Sequence, residues 1–209
     1  MTGDSPPLLD FHHRFEPGTS GATLLLLHGT GGNEDDLLLM GRRIAPRANL
    51  LAPRGQVLEN GMPRFFRRHA EGVFDEADLV RRAADLDQFV RAALVHYGAD
   101  PTRAHVFGYS NGANMAAALL LLHGSLFAGA ALLRAVLPLE PRKLPDLTSK
   151  PILIQAGRRD PFAPTPRVQA LDDRLRRAGA AVDLRWSSGG HEPEPQEIDA
   201  LVTWFERLL

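Results

Sequence analysis

The run His105-Val106-Phe107, then Gly108-Tyr109-Ser110-Asn111-Gly112, then a helical pattern over 112–123, decides how this chain is read. A buried strand that turns sharply through G-x-S-x-G into a helix is the context in which a serine hydroxyl is held at the helix N-terminus for nucleophilic attack. The turn demands a strained backbone at Ser110. Glycines two positions to either side let strand and helix approach where a Cβ would clash. Two packing glycines beside a capping serine are the alternative reading, and the strand before and helix after weigh against it.

Outward from this turn, short apolar runs at 22–27, 50–52, 130–133, 152–156 and 182–186 join 105–107 as expected buried parallel strands. Between them, apolar residues at three-to-four spacing predict helices over 35–44, 76–95, 112–123, 166–178 and 196–208. Strands alternating with helices imply an α/β chain whose mostly parallel sheet is covered on both faces. Asn33 and Asp75 are the expected helix caps, each followed by acids that the helix dipole favours. Residues 53–74 show no clear period and are expected to form a long ordered loop that shapes a pocket. At 209 residues the chain suits one domain, 1–209.

A serine hydroxyl needs a base with a pKa near the working pH, usually histidine. Of eight histidines, His191 sits in Ser188-Gly189-Gly190-His191, after the last strand and before the terminal helix. Taken alone it would be a surface loop histidine, but it follows both serine and acid in the order Ser, Asp, His. The acid is Asp160, in Gly157-Arg158-Arg159-Asp160-Pro161 just past the strand 152–156. Asp183 falls within a strand pattern and Asp199 on an amphipathic helix, so neither is carried to the strand-end loops. Leu27-His28-Gly29-Thr30-Gly31-Gly32 ends the first strand, and its backbone N–H groups can converge on a developing negative charge. The Thr30 and Asn111 amides are the expected oxyanion donors. This loop lacks the Lys and Ser/Thr of a phosphate cradle and the G-x-G-x-x-G spacing, which argues against nucleotide binding. His28 is assigned to stabilising the loop, and one of the adjacent His12 and His13 is expected to be exposed.

Composition narrows the function classes. Hydrophobic residues make up 44% and charged residues 23%, with a net charge of −1, so no global field favours nucleic acid. Cysteine is absent, which removes disulfides, thiolate metal sites and a cysteine nucleophile together. Residues 1–10 carry two acids and two prolines without a basic start or apolar core and are not expected to act as a secretory signal. The apolar run 115–122 is too short to cross a bilayer, so no integral membrane association and a cytoplasmic location are expected.

With these residues in place, the chain resembles the carboxylesterase/phospholipase branch of the α/β-hydrolases, small enzymes without a large cap domain that include acyl-protein thioesterases. Residues 27–34, 108–112, 157–160 and Gly190-His191 fall in that family's order and spacing. Pro53-Arg54-Gly55 and Arg64-Phe65-Phe66-Arg67-Arg68, followed by Glu71-Gly72-Val73-Phe74-Asp75, resemble a bacterial subgroup of hydrolases associated with hydroquinone and quinone stress. The resemblance implies the α/β-hydrolase fold, action on small carboxylic esters with short acyl chains, no metal or organic cofactor, and often a homodimer. The acidic, proline-containing His191-Glu192-Pro193-Glu194-Pro195 departs from the family and alters the mouth of the site.

The expected chemistry is acyl transfer through an acyl-enzyme on Ser110, with His191 as general base and Asp160 orienting it. Phe66 and Phe162 are nominated as apolar walls of the pocket and Arg64 as a contact for a polar substrate. The rivals are a thioesterase or a hydrolase of aromatic ring-derived products on the same triad, and a non-catalytic binding module. The binding module is disfavoured because serine, acid, histidine and glycine-rich loop are all present.

Overall fold

The alternation of strands and helices closes into a seven-stranded sheet in the computed structural model, which describes residues 11–209. Residues 1–10, where the sequence reads no secretory signal, lie outside the described residues. In chain order the elements are β1 (His13–Glu16), β2 (Thr23–Leu27), α1 (Leu38–Ile44), β3 (Asn49–Pro53), β4 (Val57–Glu59), β5 (Met62–Arg64), β6 (Arg68–Ala70), β7 (Val73–Phe74) and α2 (Glu76–His96). The second half adds β8 (Ala104–Tyr109), α3 (Asn111–Leu122), β9 (Gly129–Leu133), β10 (Pro151–Gly157), α4 (Thr165–Arg177), β11 (Ala181–Ser187) and α5 (Pro195–Glu206).

Sheet order is β1-β3-β2-β8-β9-β10-β11, with every pairing parallel except the antiparallel edge pair β1·β3. Side chains alternate between the two faces as strand geometry requires. Leu25, Leu27, Val106, Ile152 and Ile154 pack against α2, α3 and α4, while Leu24, Leu26, Phe107, Leu133 and Leu153 pack against α1 and α5. Both faces are therefore buried, which is why these strands read as continuous apolar runs. Helix α3 is buried along almost its whole length, and this accounts for its unbroken 115–122 run. No described helix is long and apolar enough to cross a membrane.

The sheet order also locates the site. From β2 the chain steps to β3 on one side and later returns to place β8 on the other, so the order reverses between β2 and β8. Ligands in open α/β sheets bind beyond the carboxyl ends of the strands at such a switch point. Leu27 is in register with Gly108, so the glycine-rich loop after β2 and the turn after β8 leave the sheet side by side.

Two expectations are corrected, and one strand is added. Residues 53–74 are not a loop without regular structure but carry two short hairpins, β4·β5 and β6·β7. Glu59 pairs with Met62 across Asn60-Gly61, whose positive φ values of 52° and 79° suit a two-residue hairpin turn that Asn-Gly favours. Asn33 does not cap a helix: its Oδ1 accepts the Asp35 N–H in a turn, and α1 starts only at Leu38. Strand β1, absent from the strands expected from sequence, pairs with β3, and Phe11, His13 and Phe15 on alternate positions meet the rings of Phe89 and Tyr97. Asp75, in contrast, does cap α2, accepting the Asp78 N–H.

Candidate active site

Ser110 stands between β8 and α3 with φ 53° and ψ −114°, a conformation a non-glycine residue adopts at a cost of about 1–3 kcal/mol. Two backbone hydrogen bonds hold it there, Ser110 N–H to Leu133 O at 2.9 Å and Asn114 N–H to Ser110 O at 2.9 Å. The flanking glycines are demanded by space. A Cβ on Gly108 would lie 2.7 Å from Ala113 Cα, and one on Gly112 would lie 2.0 Å from Leu27 O.

His191 and Asp160 arrive from the ends of β11 and β10, which are parallel neighbours. His191 Nε2 is 2.9 Å from Ser110 Oγ, and Nδ1 is 2.8 Å from Asp160 Oδ2. The second Asp160 oxygen accepts the Phe162 N–H at 2.8 Å, and its carboxylate is wholly buried. With the proton on Nδ1 facing the carboxylate, the Nε2 lone pair faces the serine hydroxyl. Phe162 stands edge-on to the imidazole at 5.0 Å, and the Tyr109 ring lies tilted to it at 5.4 Å. Burial pushes the Tyr109 phenol up to about 12, so it stays a neutral donor to His191 O.

Thr30 and Asn111 both border the cavity in front of Ser110, and no acceptor meets their backbone N–H groups among the described residues. Neighbouring amides are engaged: Gly31 N–H bonds Pro63 O and Gly32 N–H bonds Gly29 O. His28 braces the same loop, with Nδ1 donating to Gly29 O at 2.7 Å and Nε2 accepting the Gly55 N–H at 2.9 Å. Burial holds its pKa below the usual histidine value, which suits this neutral, fully engaged ring. Of the pair near the N-terminus, His12 is exposed while His13 bonds the Tyr97 hydroxyl.

The cavity measures about 340 Å³. Phe162 borders it and is half exposed. Phe66 does not: it is completely buried and packs edge-on against Phe74, and Phe74 is the ring that borders the cavity in its place. Successive residues of an extended segment face opposite ways, so the Phe65-Phe66 pair could not be sorted from sequence. Arg64 borders the cavity but is 4% exposed in its side chain and engaged internally, donating to Thr30 Oγ1 at 2.8 Å and Phe66 O at 3.3 Å, and pairing with Glu59. It is a brace for the Thr30 loop and offers no free charge. Glu59 in turn holds Arg68, which also pairs with Glu71. Sequence reasoning missed Tyr109, Phe74 and Arg134 at this cavity. Tyr109, beside Ser110 within the pentapeptide, had a positional signal; Arg134 had none. No group of three or more His, Cys, Asp or Glu side chains able to hold a metal occurs among the described residues.

With this geometry, the match of residues 17–209 to the phospholipase/carboxylesterase family is decisive. The chain belongs to that family. It is a hydrolase with the α/β-hydrolase fold. MhqD of Bacillus subtilis (strain 168) is 45% identical over 197 residues, covering 94% of this chain and 98% of that one. The crystal structure of a Bacillus cereus carboxylesterase superposes with a TM-score of 0.92 at 40% identity, over 96% of this chain and 95% of its own. A Mesorhizobium loti carboxylesterase gives a TM-score of 0.88 at 34% identity, over 97% and 99%.

Proposed function

We propose that the protein is a serine carboxylesterase acting on small carboxylic esters through an acyl-enzyme on Ser110. The observation that carries the reading is the single hydrogen-bonded line from Ser110 Oγ through the His191 ring to Asp160 Oδ2. Ser110 Oγ attacks the ester carbonyl carbon while His191 Nε2 takes the hydroxyl proton. The resulting oxyanion is held by the Thr30 and Asn111 N–H groups, each of which supplies on the order of 10²–10³ in rate. Collapse of this intermediate breaks the ester C–O bond, and the alcohol leaves with the proton from Nε2. Water then attacks the acyl carbon, gives its proton to Nε2, and the acid departs as Ser110 regains its hydrogen. Asp160 keeps the proton on Nδ1 and stabilises the imidazolium formed in each half-reaction.

The size of the cavity, about 340 Å³, and its mixed lining of Phe74, Phe162, Arg68 and Glu71 support short acyl chains over long ones. Hydrolysis of p-nitrophenyl esters from acetyl to long acyl chains, by wild type and Ser110→Ala in parallel, tests this. Turnover is expected to peak at short chains and vanish in the variant. Persistent turnover in Ser110→Ala removes Ser110 as nucleophile, and a long-chain optimum refutes the substrate size.

A further inference from the structure

Arg134 follows β9 directly, its φ is +62°, and its side chain is fully buried. Its charged head is spent on the segment that carries His191, on Glu197 and on Gln155. Nε donates to Gly190 O at 2.9 Å and to His191 O at 3.0 Å; Nη2 donates to Glu192 O at 3.1 Å. Nη1 and Nη2 grip Glu197 Oε1 and Oε2 at 2.8 and 2.7 Å, and Nη1 also reaches Gln155 O at 3.3 Å. Glu197 Oε2 accepts the Glu194 N–H at 2.9 Å, closing the ring of bonds onto the start of α5.

Residues 188–195 need such a grip. Gly189-Gly190 leave the backbone free, the prolines at 193 and 195 have no N–H, and no backbone N–H meets the carbonyls of residues 190–192 among the described residues. A buried ion pair does little for stability compared with apolar side chains of the same volume, so its value here lies in geometry. Only the planar guanidinium fork reaches three consecutive carbonyls and a carboxylate together. We propose that Arg134, backed by Glu197, is a positioning residue that sets the 190–192 backbone and thereby aims the His191 imidazole between Ser110 and Asp160. The proposal rests on the reading of His191 as general base.

The test compares Arg134→Lys, which keeps the charge for Glu197 but loses the fork, with the double variant Arg134→Met/Glu197→Leu, which removes the pair together. Ser110→Ala is run in parallel. Thermal unfolding reports folding, p-nitrophenyl acetate hydrolysis reports kcat and KM, and the low-field proton resonance of the His191–Asp160 hydrogen bond reports imidazole placement. In folded variants kcat is expected to fall about 10- to 100-fold, as for a small misplacement of a catalytic group, with KM nearly unchanged and the resonance broadened or lost. Wild-type kcat and an intact resonance in a folded variant overturn the proposal, while an inactive Ser110→Ala leaves the esterase reading standing. If Ser110→Ala stays active the assignment of Ser110 as nucleophile fails, and the resonance alone then decides the positioning role. If neither Arg134 variant folds, Arg134 is a folding element of the core and the positioning role is withdrawn.

Discussion

A Cβ placed on Gly157 would lie 2.3 Å from the carbonyl oxygen of Gly190. The turn that carries Asp160 and the loop that carries His191 thus touch backbone to backbone, a contact reinforced by Arg159 N–H to Gly189 O at 2.9 Å. Gly157→Ala must push the His191 loop outward, since a carbonyl oxygen cannot yield as a flexible side-chain end would. The expected result is a loss of roughly 1–3 kcal/mol in stability from overpacking and a fall of about 100-fold in kcat for p-nitrophenyl acetate. Wild-type kcat in this variant would show that the contact is not what sets the spacing of Asp160 and His191.

Asp160→Asn preserves shape while reversing the preference for the Nδ1–H tautomer. A fall of about 10⁴ in kcat is expected, with little change in KM. Stopped-flow acylation with an activated ester measures this directly, and a near-normal rate excludes Asp160 from the orienting role.

The two phenylalanines nominated from sequence should behave oppositely. Phe66 is 0% exposed, so Phe66→Ala should cost about 3–5 kcal/mol in urea unfolding while leaving KM alone in the folded fraction. Phe162 is 49% exposed, so Phe162→Ala should cost less than about 1 kcal/mol yet change kcat/KM several-fold. Equal effects on stability would contradict the burial difference.

Burial holds the pKa of both His28 and His105 below the ordinary 6.5. Above that pH both states are neutral at these sites and the full stability is present. As pH falls below 6.5 the unfolded chain binds protons that the folded chain refuses, so stability declines until the folded pKa is reached. The limiting slope is about 1.4 kcal/mol per pH unit for each histidine. Urea unfolding between pH 8 and about 5 should show this decline before ordinary carboxylates titrate, and His28→Gln should flatten part of it. A variant with the wild-type slope would show that His28 contributes none of it.

Legibility in the sequence followed the range of the interaction. The elbow was legible because its constraints are local: a buried run, two glycines within van der Waals contact of the chain, and a helix start fall within a few residues of Ser110. The α/β architecture was legible because strands buried on both faces must be apolar throughout. The two-residue turn at Asn60-Gly61 was equally local, and the Asn-Gly pair was the signal that could have found it. Strand β1 was not legible, because its four residues hold one apolar side chain, Phe15, and its pairing partner β3 lies more than thirty residues away.

The sequence by itself determined the fold class, the strained serine turn, and the placement of Asp160 and His191 on strand-end loops, since these follow from hydrophobic period and the steric needs of glycine. Only the tertiary structure decided that Phe74 and not Phe66 borders the cavity, that Arg64 is spent bracing Thr30, and that Arg134 grips the His191 loop from within the core. These depend on side-chain direction and on partners tens of residues apart, where the free energy of a hydrogen bond is set by desolvation and geometry that no local spacing encodes.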